Sequence, residues 1–305
     1  MQITVLGAGA LGGYFGSRWE KAGADVTFLV REKRAEQLRR NGLKVFSSKG
    51  DYTNNKPKVV TDTHQIDHPE LVFVSVKGYH LQNTIDDLKI LTEKGAYVLP
   101  VLNGMEHIPV LQKELGNEAV IPGLSFIMAT LDDSGHVIHS SQFHRIIFGM
   151  LHDSQKEICS RLENLCGKTD LEAVNSSDSI LHELWKKYTF INAFSGITTA
   201  VDLPIGPVRE NPDTFRIAEQ ILVEMQRLAG QYGVTVSDKE VEEAKKTLRN
   251  LDPEATSSMH QDRRKELPLE VDHLHGGAIR LAKDKGIDVP YLDAIHGMIK
   301  PFERI

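Results

Sequence analysis

The stretch that most constrains this chain is Ile3-Thr4-Val5-Leu6-Gly7-Ala8-Gly9-Ala10-Leu11-Gly12-Gly13-Tyr14-Phe15-Gly16. Ile3 to Leu6 is a short apolar run that reads as a buried strand. Gly7, Gly9 and Gly12 follow at once, and Leu11, Phe15 and Trp19 then recur at helical spacing. Strand, glycine turn and helix in that order are the context a dinucleotide fingerprint requires. Gly7 allows the tight turn, Gly9 lets the backbone approach a pyrophosphate, and Gly12 lets the helix pack close to the strand. The loop Gly7-Ala8-Gly9-Ala10-Leu11-Gly12 is therefore a candidate cofactor-binding segment, with the positive end of the helix facing the phosphates. The plainer alternative is a glycine-rich turn that packs a βα corner.

The strands that follow point the same way. Val26 to Val30 reads as the second strand and runs into Arg31, where an NAD site usually carries an acidic residue for the ribose hydroxyl. A guanidinium there suits the 2′-phosphate of NADP instead. Residues 42–61 read as short strands and turns. Leu71 to Val76 is the clearest buried parallel strand and ends in Lys77; Tyr97 to Leu102 is the next and ends in Asn103-Gly104; residues 119–123 read as another. Gly7, Arg31, Lys77 and Asn103 thus share the carboxyl edge of one sheet, where open α/β folds bind ligands. Residues 124–149 suggest antiparallel strands at the far edge of that sheet. His136, His139 and His144 lie there and read as surface or edge residues, not metal ligands.

Beyond about residue 175 long helical periodicities replace strands, over 178–201, 213–232, 238–250, 253–263 and 269–285. Asn211-Pro212 and Asp252-Pro253 place a capping side chain before a first-turn proline, and Ser237 with Glu240 forms a capping box. The fold class is α/β: an N-terminal Rossmann-type doubly wound sheet over 1–168, then an all-α C-terminal domain over 169–305. A chain of 305 residues has room for about two domains. Its net charge of −6 gives no reason to expect nucleic acid or an anionic membrane surface as a partner. Cys159 and Cys166 are too few for a disulfide framework and read as free thiols. No apolar run reaches membrane-spanning length, and the N-terminus starts directly in a strand; a cytoplasmic enzyme is the expectation.

In the first of these helices Lys187 falls three residues after Leu184 and four before Ile191, beside an apolar stripe. A lysine held there has its ammonium destabilised, which makes it a better proton donor near neutral pH. The bland alternative is a snorkelling side chain with its head in water. Lys186 lies about a third of a turn away and should face solvent.

Together these segments resemble one family, the ketopantoate reductases (2-dehydropantoate 2-reductases), over nearly the whole length. The marks are Val5 to Gly12, Val76-Lys77, Asn103-Gly104-Met105, Glu183-Leu184-Trp185-Lys186-Lys187, Ser257-Ser258-Met259 with Gln261-Asp262, and Glu270-Val271-Asp272 followed by Gly276. The resemblance implies NADPH-dependent reduction of 2-dehydropantoate to pantoate, in pantothenate and coenzyme A biosynthesis. It implies that Lys187 protonates the substrate oxygen, that Asn103 lies near nicotinamide and substrate, and that Arg31 and Lys77 bind the cofactor. Ser258 would bind the substrate carboxylate, and Glu270 would lie near the nicotinamide ribose. Glu270 also shares a face with His273, Leu274 and Gly277 on a regular helix, which would point it inward.

One segment departs from the family pattern. The family usually places asparagines four and eight residues after the lysine, where this chain has Ile191 and Ser195. Ser195 could still donate a hydrogen bond, and Asn192 would reach the same face only through a local bulge. Both stand as candidate substrate contacts. Reduction of another small 2-keto acid on the same plan, and a non-catalytic NADPH-binding sensor, remain as alternatives. The partner expected is a small 2-keto acid, with no nucleic acid, membrane or metal; a homodimer is compatible with the sequence.

Overall fold

The computed structural model describes residues 1–304. In chain order the first elements are β1 (Gln2–Leu6), α1 (Ala10–Lys21), β2 (Asp25–Leu29), α2 (Glu32–Asn41), β3 (Leu43–Ser47), β4 (Tyr52–Asn54), β5 (Lys58–Val60) and β6 (Leu71–Val74). Then come α3 (Ile85–Glu93), β7 (Tyr97–Pro100), α4 (His107–Leu115), β8 (Gly123–Leu131), β9 (Val137–Phe148), α5 (Lys156–Cys166) and β10 (Glu172–Asn175). The apolar runs of β1, β2 and β6 are buried on both faces, as parallel strands covered by helices must be. They pair in the order β5-β2-β1-β6-β7, all parallel, with β1 central. This is the Rossmann-type sheet expected from the sequence.

Two expectations fail in this half. Residues 119–123 give only one bridge, Val98 with Val120, because a short 3₁₀ turn occupies Asn117–Ala119. Residues 124–149 do form an antiparallel pair, but not at the edge of the first sheet. They build a second sheet, in which β9 also runs parallel to β3 and β10 and β3 pairs antiparallel with β4.

Helix α1 explains why a second sheet exists. It is buried from Gly12 to Trp19, so it needs packing partners on more than one side. A Cβ on Gly12 would collide with the Gly7 carbonyl and Ser75 Oγ, while one on Gly13 would lie 2.9 Å from Val137 of β9. The helix is thus pressed against the first sheet by one glycine and against the second by the next. His139 and His144 of β9 correspondingly lie inside, not at the surface as expected. His144 Nδ1 shares a 2.7 Å hydrogen bond with Tyr14 Oη, and His139 contacts Ser47 Oγ and Ser141 Oγ. Burial lowers both imidazole pKa values and pushes the buried thiols of Cys159 and Cys166 up to about 11.

The remaining helices are α6 (Ile180–Val201), α7 (Ile205–Glu210), α8 (Pro212–Gln231), α9 (Asp238–Asn250), α10 (Ser258–Arg264), α11 (Gly277–Asp284) and α12 (Pro290–Ile299), with a π turn over Asp272–Gly276. α8 is the hub, packed against α7, α9, α11 and α12. Asn211 caps it by accepting from the N–H groups of Asp213 and Thr214, and Ser237 with Glu240 closes the box on α9. Asp252-Pro253 does not start a helix. Asp252 Oδ1 takes the Glu254 N–H in a turn, and the carbonyls of Pro253 and Ala255 accept from Gly206 and Ile205 of α7. α10 begins only at Ser258, capped by Ser257.

The chain divides into two compact units, Met1–Leu102 with His107–Ile180, and Asn103–Glu106 with the chain from Leu181 onward. The first is α/β and the second helical. The sequence division at 168/169 differs from this boundary because β10 pairs with β9 of the first unit. Among the described residues no helix is long and apolar enough to cross a membrane.

Candidate active site

In the first unit the site is made at the carboxyl edge of the parallel sheet. Gly7 leaves β1 at φ +94, a conformation that favours glycine, and its N–H donates to the Leu29 carbonyl. Ser75 Oγ donates to the Gly7 carbonyl at 2.7 Å and fixes the turn from the β6 side. Gly9 is the N-cap of α1 and has no capping side chain, and a Cβ there would meet nothing within 4 Å. The first N–H groups of α1 therefore open on free space that a pyrophosphate would fill. Ala8 is buried, whereas Gly9, Ala10 and Leu11 keep accessible surface and Gly12 is closed against the strand.

Arg31 stands exposed at the end of β2, with Nη2 3.3 Å from His80 Nε2. Lys77 follows β6 and leads the 3₁₀ turn Gly78–His80. Arg34, which carried no expected role, donates from Nε to the Ala8 carbonyl at 2.7 Å and from Nη1 to Gly135 O. That holds the glycine loop from behind. A basic residue one helical turn after the strand-end arginine was the available signal.

In the helical unit α6 presents Lys187, half-buried, while Lys186 is exposed and lies 3.6 Å from Glu240. Desolvation around the Lys187 ammonium holds its pKa down to about 8, against the opposing pull of the nearby Glu270 carboxylate. Glu270 is buried immediately ahead of the π turn. The regular helix expected over 269–285 is broken there: Gly277 N–H reaches back to the Asp272 carbonyl, five residues away. Such turns recur at functional sites. The turn is locked by Tyr188 Oη, which donates to the Leu274 carbonyl at 2.7 Å, and by His275 Nε2, 3.1 Å from the Asn192 carbonyl. Burial brings His275 down to about 4, so it is neutral at physiological pH.

Asn103 belongs to this helical unit although it follows β7 in the chain. His273 hydrogen-bonds to the Asn103 backbone in a contact that favours imidazole protonation, although burial lowers the His273 pKa overall. A Cβ on Gly104 would lie 3.4 Å from the His273 carbonyl and 3.7 Å from its Nε2. Three residues beyond Asn103, Glu106 accepts two 2.7 Å hydrogen bonds from Arg280, which also reaches Asp272. Lys187, Glu270, His273 and Asn103 therefore form one cluster. His273 was legible only as a neighbour of Glu270 at i+3, and the Glu106–Arg280 pair left no local trace.

Two candidates fall elsewhere. α6 is an unbroken α-helix, so the bulge that would bring Asn192 round is absent. Asn192 lies about 140° from Lys187, fully buried, with Nδ2 on the Tyr188 carbonyl. Ser195 is also buried and donates to Ser257 Oγ at 3.0 Å. Ser258 is exposed at the first position of α10. On the C-terminal side of Lys187 the partly exposed residues of its arc are Phe190, Ile191 and Phe194, and on the N-terminal side Glu183 shares it.

Comparison with known proteins places this arrangement. The model of ketopantoate reductase PanE/ApbA matches residues 3–153, and that of its C-terminal part matches 179–303. An uncharacterised oxidoreductase of Bacillus subtilis, YkpB, is 34% identical over 99% of both chains. A 2-dehydropantoate 2-reductase of a Nostoc species is 25% identical over 98% of this chain and 94% of its own. The crystal structure of a 2-dehydropantoate 2-reductase from Geobacter metallireducens superposes with a TM-score of 0.89 at 25% identity, covering 99% of each chain. The glycine turn, the lysine helix and the acidic residue ahead of the π turn thus stand in a chain that belongs to the ketopantoate reductase family of oxidoreductases.

Proposed function

We propose that this protein uses NADPH to reduce a small 2-keto acid to the 2-hydroxy acid, with 2-dehydropantoate, which would give pantoate, as the reference substrate. The observation that carries the proposal is Lys187, whose ammonium sits beside Glu270 in desolvating surroundings. Reduction of a ketone forms a C–H bond at C2 and drives the carbonyl pair onto oxygen, where the negative charge needs a donor. NADPH, when bound, supplies the hydride and leaves as NADP⁺. Lys187 Nζ meets the developing oxyanion and transfers its proton to it, and the amine regains a proton from water. Glu270 keeps Lys187 charged, since a carboxylate nearby raises the lysine pKa against desolvation.

The chain's residues fit the cofactor. The uncapped start of α1 and the open space over Gly9 suit a pyrophosphate, and Arg31 suits a 2′-phosphate. Asn103, tied to His273, would hold nicotinamide and substrate in register, and Ser258 would receive the substrate carboxylate. A sensor without chemistry would have no need of a lysine tuned toward neutrality. Asn192 on another face of α6 and Ser195 Oγ engaged by Ser257 favour, as a second reading, a 2-keto acid other than 2-dehydropantoate.

The test is NADPH oxidation over a panel of 2-keto acids, followed across pH. The proton donor is the charged lysine, so turnover is expected below about pH 8 and should fall roughly tenfold per unit above it. A rate that rises through this range, with substrate saturating, would remove Lys187 as the acid.

A further inference from the structure

We infer that the substituent on C2 of the substrate is a branched or aromatic hydrocarbon that carries no hydroxyl group. The inference rests on Lys187 as the proton donor, because it asks what surrounds the carbonyl that this lysine serves. At 100° per residue, Phe190, Ile191 and Phe194 lie within about 60° of Lys187 around the axis of α6, and Ile191 is about 6 Å along it. All three keep accessible surface, as Lys187 does, while the neighbouring Leu184, Tyr188, Thr189, Asn192 and Ser195 are buried. The rings of Phe190 and Phe194 stand 5.9 Å apart and form one continuous apolar wall.

Most polar groups on this stretch of α6 have partners, although Asn192 Oδ1 and Thr189 Oγ1 are buried without one. Tyr188 Oη donates to Leu274 O, Asn192 Nδ2 to Tyr188 O, Ser195 Oγ to Ser257 Oγ and Thr198 Oγ1 to Phe194 O. Thr189 is buried on the opposite side of the helix. A substituent running from Lys187 toward the C-terminal end of α6 thus meets carbon from two phenyl rings and one sec-butyl group, the other polar member of the arc, Glu183, lying one turn toward the N-terminus. A hydroxyl placed there loses its water without gaining a partner, which disfavours it. The selectivity of such a wall is limited: apolar pockets discriminate against an added hydroxyl by about a hundredfold at most, whereas sites built to bind a hydroxyl reject its absence by about 10⁴–10⁵.

Two acids differ by this one group. 2-Dehydropantoate carries a hydroxymethyl group on its dimethylated carbon, and 3,3-dimethyl-2-oxobutanoate is the same molecule with hydrogen in place of that hydroxyl. With the full-length protein and NADPH, kcat/KM for 3,3-dimethyl-2-oxobutanoate should exceed that for 2-dehydropantoate by about ten- to a hundredfold. Calorimetry in NADP⁺ should rank the two 2-hydroxy acid products in the same order. Ile191→Asn, which sets an amide on the wall at a half-exposed position, should move the ratio at least about tenfold toward 2-dehydropantoate. Phe194→Ala, a second variant that adds no polar group, should lower kcat/KM for both acids without reversing their order. A wild-type ratio of one or less, or a ratio that Ile191→Asn leaves unchanged in a folded protein, overturns the inference while leaving the reductase assignment standing. If no 2-keto acid consumes NADPH, the reductase assignment fails and the inference falls with it.

Discussion

In the α/β unit, the residues that face the candidate cofactor position are contiguous or stand at strand ends, and the groups they present are largely main-chain N–H. In the helical unit, Asn103, Lys187, Glu270 and His273 come from three separate parts of the chain, and what they present are chiefly side chains. A glycine turn is specified by which side chains are missing, so most substitutions damage its shape. A cluster of side chains on packed helices is specified by long-range contacts, so one member can be removed with the scaffold intact. The first kind of site should fail by losing affinity, the second by losing rate.

Lys187→Ala tests this contrast with the largest expected effect. Removal of a positioned acid lowers turnover by about 10²–10⁴-fold. Lys187 is only half-buried and its charge is already disfavoured, so folding and NADPH affinity should hardly change. Lys186→Ala, next in sequence but exposed and paired with Glu240, should leave turnover within about twofold, as exposed ion pairs contribute little. Turnover on the best 2-keto acid and NADPH fluorescence titration measure both. Near-normal rates for Lys187→Ala, or a damaging Lys186→Ala, would break the assignment.

Arg31→Ala addresses the other unit. A charge-assisted contact to a 2′-phosphate contributes roughly 1.5–3 kcal/mol, or about ten- to a hundredfold in affinity. The dissociation constant for NADPH should rise by that factor while that for NADH and the saturated rate stay put. Equal weakening of both cofactors would show that Arg31 supports the loop, not the phosphate.

The two units were also unequally legible in the sequence. Period and turn chemistry gave β1, the glycine loop, α1 and the caps of α8 and α9, because each is decided within a few residues. The second sheet was missed because β9 pairs with β3 and β10, about ninety and thirty residues away, and nothing local in 124–149 marks those partners. His139 and His144 looked like edge residues for the same reason: the tyrosine, serine and sheet that enclose them lie elsewhere in the chain. The lysine face of α6 was readable from spacing, and the break at 191 and 195 was visible. The π turn was not, since it depends on Tyr188 and His275 bonding across the unit. Residues Asn103–Glu106 looked like an ordinary strand end, and only packing shows that they group with helices far down the chain.

The smallest expected effect sharpens that last point. Glu106 and Arg280 form a forked pair with both contacts at 2.7 Å, and Arg280 also holds Asp272 at the start of the π turn. The pair is partly exposed, which limits its contribution to about 1 kcal/mol or less of stability. Its geometry matters more than its strength. It fixes one end of a four-residue segment whose other end is Asn103, and His273 grips that segment from the same turn. Glu106→Gln keeps the shape and removes the charge, and Arg280→Lys keeps the charge and removes the fork. If the pair serves to position Asn103, both should lower kcat by about three- to tenfold, with NADPH affinity and the thermal midpoint nearly unchanged. If it is merely a surface ion pair, the midpoint should drop slightly and kcat should not move. A fall in cofactor affinity with constant kcat would instead tie Asn103 to the α/β unit's task, and the contrast between the two halves would lose its clearest example.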